Sequence, residues 1–117
     1  MGGLILDDGI NRIRDLVESD IGNCQSGTGT TAPTASDTGL ETPDSNTLDT
    51  PTNTKTDKSI QVNFQIPSTT GATNAYSENE IQLNSGTDHL NRIVHTAITK
   101  GSNDEFNYIT TIFFKSI

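Results

Sequence analysis

Lys58-Ser59-Ile60-Gln61-Val62-Asn63-Phe64-Gln65-Ile66-Pro67 decides the fold class. Ile60, Val62, Phe64 and Ile66 alternate with Ser59, Gln61, Asn63 and Gln65. A period of two puts every apolar side chain on one face of a strand, and Pro67, which cannot donate to a ladder, ends it. The same period returns downstream. Ile81 and Leu83 share a face within Glu78–Asn84, and Ser85-Gly86-Thr87-Asp88 predicts a turn into a strand over His89–Thr99. Gly101-Ser102-Asn103-Asp104 predicts a further turn into Glu105–Lys115. In that last run Phe106, Tyr108, Thr110, Ile112 and Phe114 share one face, with Ile109 and Phe113 on the other, which predicts a strand covered on both sides. Residues 58–117 therefore read as an antiparallel β-sheet region. The fold class that follows is mainly β with one N-terminal helix: a small antiparallel β-sandwich plus a long Thr/Gly-rich arm.

Upstream, residues 7–21 predict the helix. Ile10, Ile13, Leu16, Val17 and Ile21 recur at spacings of three and four, which makes one apolar stripe. Asp7 or Asp8 suits the positive N-terminal end, and Gly22 suits a left-handed C-terminal cap. Such a helix needs a sheet or a neighbouring subunit to lie on. Residues 22–57 read as an extended polar arm or loop, rich in Thr, Gly and Pro, with Leu40 and Leu48 as its candidate anchors. The piece around Asn46-Thr47-Leu48-Asp49-Thr50 suits a short edge strand. The whole, residues 1–117, is one domain.

Composition sharpens this. Only 30% of the 117 residues are hydrophobic, and Ser, Thr and Asn supply 40. The core must be thin, and partner subunits are a common remedy for so polar a small chain. Fifteen acidic against seven basic side chains give a net charge of −8. That balance argues against nucleic acid and anionic membrane, both of which need a Lys/Arg surplus. The start, Met1 to Leu6, lacks the basic segment of a signal peptide, and no apolar run reaches a membrane-spanning length. Cys24 is the single cysteine, so no intramolecular disulfide is expected.

Candidate chemistry is sparse. Gly27-Thr28-Gly29-Thr30 shares two glycines with phosphate loops but has no following Gly-Lys-Ser/Thr, so a solvated loop is the expectation. Asp37, Glu41, Asp44 and Asp49 match no calcium-loop spacing. His89 and His95 lack a third ligand for a shared metal. No nucleophile–base set has a local signature, so no enzyme activity, cofactor or metal is expected. The charged residue that stands out is Arg92, in Leu90-Asn91-Arg92-Ile93-Val94, with Glu78 and Glu80 across the hairpin. The pairing reads either as a charge-assisted bond that pins the register or as a solvated pair worth under about 1 kcal/mol.

Four pieces together carry a family resemblance. They are Gly9-Ile10-Asn11-Arg12-Ile13-Arg14-Asp15-Leu16, the run from Gly27-Thr28-Gly29-Thr30-Thr31-Ala32-Pro33 through Leu40-Glu41, the Tyr76–Leu83 and Leu90–Val94 pair, and Tyr108-Ile109-Thr110-Thr111-Ile112. In this order the chain resembles the small structural, fibre- or tail-adaptor-type proteins of tailed bacterial or archaeal viruses. Glu80 departs from that pattern, where a small residue is common. The resemblance implies a non-enzymatic virion protein, assembled in the host cytoplasm as a ring or trimer of copies of itself. It would contact tail, collar, baseplate or fibre proteins. It further implies that Gly27, Thr28, Gly29, Thr30, Pro33 and Leu40 belong to an inter-subunit arm ordered by its neighbour. Head decoration at the capsid surface is the alternative, and a glycan-binding module is a weaker one, since Trp is absent and only Tyr76 and Tyr108 offer tyrosine stacking.

Overall fold

The structure, a computed structural model, describes residues 3–71 and 73–115. The ends of the 1–117 span and Ala72 lie outside the described residues. The chain forms a helix α1 (Asp7–Asp20) and eight strands: β1 (Ile21–Gly27), β2 (Pro43–Asp49), β3 (Thr52–Thr56), β4 (Ser59–Ile66), β5 (Ala75–Leu83), β6 (Asp88–His89), β7 (Ile93–Thr99) and β8 (Phe106–Phe113). They make two antiparallel sheets. One has the order β2-β1-β5, with β6 and β7 both pairing to the far side of β5; the other has the order β3-β4-β8.

The core lies between the sheets. Ile60, Val62, Phe64 and Ile66 of β4 are all buried, and their partners across the ladder are Ile112, Thr110, Tyr108 and Phe106 of β8. From the other sheet come Ile21, Cys24, Tyr76 and Ile81. Tyr76 meets Phe106 edge-on at 6.0 Å between ring centroids, and Phe64 stacks on Tyr108 at 5.9 Å. Burial and the Glu80 charge push the Cys24 thiol up to about 12, so it packs as a small apolar group. The sandwich therefore follows from the alternation in β4 and β8.

Several expectations change. Half of the stretch 22–57 is strand: β1 is an interior strand of its sheet, flanked by β2 and β5, and the long loop is confined to residues 28–42. Its polar residues tolerate burial because they bond within the fold. Ser26 donates its hydroxyl to the Glu78 carbonyl at 2.7 Å, and Thr47 Oγ1 accepts the Ser26 N–H at 2.9 Å. Thr47 is buried and anchors β2, while Leu48 is exposed. The helix stops at Asp20 without a left-handed cap, because Ile21 turns extended and enters the core as the first residue of β1. No side chain caps its N-terminus; Asp7 reaches Lys58 instead, at 2.8 Å. α1 sits on the β3–β4 turn: Asn11 accepts the Lys58 N–H at 2.8 Å, and Arg14 donates to the Thr56 carbonyl at 2.6 Å. Of its stripe, Ile10 is buried and Val17 half-buried, while Ile13 and Leu16 are exposed. The last strand is covered on one face only among the described residues, which leave Ile109 and Phe113 exposed.

Candidate functional site: a loop built around a buried carboxylate

Strand alternation sends Glu78, Glu80 and Gln82 of β5 away from the face that carries Ile81. Three such polar side chains on an interior strand would ordinarily meet water, yet all three are buried. What covers them is the 28–42 loop together with residues 89–92. Each oxygen of Glu78 accepts two hydrogen bonds. Oε2 takes the backbone N–H of Gly29 at 2.7 Å and of Thr42 at 2.9 Å, and Oε1 takes the N–H of Glu41 at 2.9 Å and Arg92 Nε at 2.8 Å. Four donors on one buried carboxylate satisfy it fully. Burial by itself raises the Glu78 pKa, but the Arg92 bond and the three backbone N–H groups outweigh it and hold the carboxyl below its ordinary range.

Arg92 extends the arrangement outward. Its Nη1 donates to Asp37 Oδ2 at 3.1 Å, and Asp37 in turn accepts the Thr34 N–H at 3.0 Å and the Thr34 hydroxyl at 2.9 Å. Glu41 Oε1 accepts the N–H groups of Thr30 at 3.0 Å and Thr31 at 3.3 Å. Hydrogen bonds from these threonines lower the pKa of Asp37 and of Glu41. Both ends of the loop and its crest are thus tied by carboxylates of the same chain. The resemblance implied an arm ordered by its neighbour, whereas here the ties are internal. Thr28, Thr30 and Pro33 remain exposed and Leu40 is half-buried.

The glycines now have a physical reason. A Cβ on Gly29 would collide with the Glu78 carboxylate and the Glu41 side chain, and one on Gly27 would strike the Thr42 carbonyl. Of the run Gly27-Thr28-Gly29-Thr30, the Gly29 N–H bonds an anion, and that anion is the protein's own Glu78.

Arg92 is free to reach Glu78 because the strand breaks before it. Residues 90–92 lie outside the ladder, and the Asn91 side-chain oxygen accepts the Ile81 N–H at 2.9 Å in place of a strand carbonyl. Glu80 does not join the Arg92 pair. It meets His89 Nδ1 at 2.8 Å and accepts Gln82 Nε2 at 2.7 Å. The break places His89 rather than Arg92 beside it. His95 is elsewhere, its Nε2 2.9 Å from the Tyr108 hydroxyl. The acidic residues also separate: Asp44 accepts the Tyr76 hydroxyl at 2.7 Å, and Asp49 accepts the Thr50 N–H. Among the described residues, no group of three or more His, Cys, Asp or Glu side chains converges as metal ligands would. What the site brings together is a polar loop tied to β5 through Glu78 and Arg92. Comparison with protein-family models, curated proteins and solved structures returns no match for the chain.

The lowered carboxylates fix the sign of the pH response. A carboxyl whose pKa is lower folded than unfolded binds fewer protons in the native state, so it adds stability above its unfolded pKa and loses it as pH falls through the folded one. For Glu78 the ordinary value is 4.5. Chemical denaturation midpoints should hold level above that value and decline below it, and Glu78→Gln should flatten the decline. An acid response identical in Glu78→Gln would assign the effect to other groups.

Proposed function

We propose that this chain is a non-enzymatic structural protein of a tailed-virus particle, an adaptor for tail, baseplate or fibre attachment that assembles through subunit contacts. The observation that carries the reading is the run Gly27–Glu41, the most specific piece of the resemblance. In this chain the run forms an exposed polar loop whose base is locked by Glu78 and Arg92. A loop fixed in advance loses little conformational freedom when it docks, which suits a joint between particle proteins. Ile93, Ile98 and Ile109, exposed and lining one groove on β7 and β8, add support, since a contiguous apolar patch marks an interaction site.

The test is made on purified particles. Mass spectrometry should find the chain there, and cryo-electron microscopy should place it at the tail, baseplate or fibre attachment in a copy number matching the local symmetry. Its absence from particles would overturn the reading. Density on the capsid surface would move it to the head-decoration alternative.

A further inference from the structure

Among the described residues β7 pairs only with β5, and β8 only with β4. Each therefore leaves one edge of its backbone unpaired, and between the two strands runs an open groove of about 550 Å³. Ile93, Ile98 and Ile109 line it, with Tyr108 and His95 among its polar residues. Ile98 is 55% exposed and Ile109 60%. An apolar slot bordered by free strand edges is the receptor half of a strand-addition contact.

The donor half stands at the other end of the chain. Leu4, Ile5 and Leu6 precede α1 outside any helix or strand, with the Leu6 backbone extended, and Leu4 is 82% and Leu6 69% exposed. We infer that the segment Gly3–Leu6 of one copy adds as a strand in the β7–β8 groove of a second copy. The inference rests on the subunit-assembly reading above and names the segment and groove that make the contact. An added strand would turn Leu4 and Leu6 toward the groove and Ile5 away, because alternate side chains share a face.

The geometry favours a second copy over the chain's own tail. The Asp7–Lys58 ion pair ties the helix start to the β3–β4 turn, and Ser59 beside that turn faces Phe113 of β8. Tyr108, at the groove, faces Phe64, five residues further along β4. That distance is about 17 Å, whereas the four residues Gly3–Leu6 span about 13 Å. The molecule's extents of 57 × 27 × 24 Å agree with an elongated chain. A contact of donor segment to acceptor groove is head-to-tail, and it closes into a ring when the rotation permits.

Light scattering after size exclusion tests this with two variants at exposed positions, each checked for an unchanged far-ultraviolet circular dichroism spectrum. The donor variant is Leu4→Asp/Leu6→Asp and the acceptor variant is Ile98→Glu/Ile109→Glu. The unmodified protein should run as an oligomer, and each variant alone should fall to the single-chain mass of 12.5 kDa. Mixing the two should restore a two-chain complex, since one intact tail and one intact groove remain. A donor variant that keeps the oligomeric mass, or a mixture that stays single-chain, would overturn the strand addition while leaving subunit assembly itself standing. A single-chain mass for the unmodified protein would overturn it as well. Absence from purified particles would remove the virion reading without touching the strand contact.

Discussion

Replacing Glu78 by alanine lowers the stability of the chain by about 3–5 kcal/mol, the range for breaking a buried ion pair from one side. In a chain of this size that amounts to a fall in Tm of roughly 10–20 °C. The loss has three sources. Arg92, its side chain nearly buried, keeps its charge but loses the partner at 2.8 Å. The N–H groups of Gly29, Glu41 and Thr42 lose their acceptor. The 28–42 loop loses the group on which both its ends converge. Arg92→Ala costs less, because the carboxylate keeps its three backbone donors. The double replacement should fall well short of the sum of the singles, as expected for residues in direct contact. Thermal melts of the four proteins measure this, and limited proteolysis should find new cleavage within 28–42 in Glu78→Ala and in the double variant but not in Arg92→Ala. Additive losses, or a Tm unchanged in Glu78→Ala, would show that the loop is held by something else.

The same residues show what a sequence discloses and what it hides. β4 and β8 are legible because one face of each is buried against the core and the period of two survives in the side chains. β1 is hidden. Cys24, Gln25 and Ser26 lack an alternating pattern, since polar side chains here find partners inside the fold rather than solvent. Arg92 and Glu78 stand out in the sequence as a charged pair on facing segments. Their burial does not, because the cover comes from a loop some 36 to 49 residues away along the chain. For the same reason Glu80 looks equivalent to Glu78 until the break at residues 90–92 hands it to His89. The glycines at 27 and 29 are plain to see, while the carboxylate they make room for is visible only in three dimensions.

Phe64→Ala is the second large loss, at about 3–5 kcal/mol, from lost burial plus the cavity that remains. Phe64 is 2% exposed, at the centre of the β4 ladder, and its ring stacks on Tyr108. Tyr108 also meets Ser26 and His95. Emptying the Phe64 site therefore removes support from a side chain that links the two sheets. Phe113, in the neighbouring strand of the same sheet but on its outer face, is 67% exposed. Its replacement by alanine should change the stability of the single chain by no more than about 0.5 kcal/mol. Two phenylalanines in adjacent strands thus separate by several kcal/mol on the strength of which face they occupy. Urea unfolding at low protein concentration measures the contrast. Equal losses at the two positions would mean that the outer face is packed in the chain itself, and that the core does not lie between the two sheets as described.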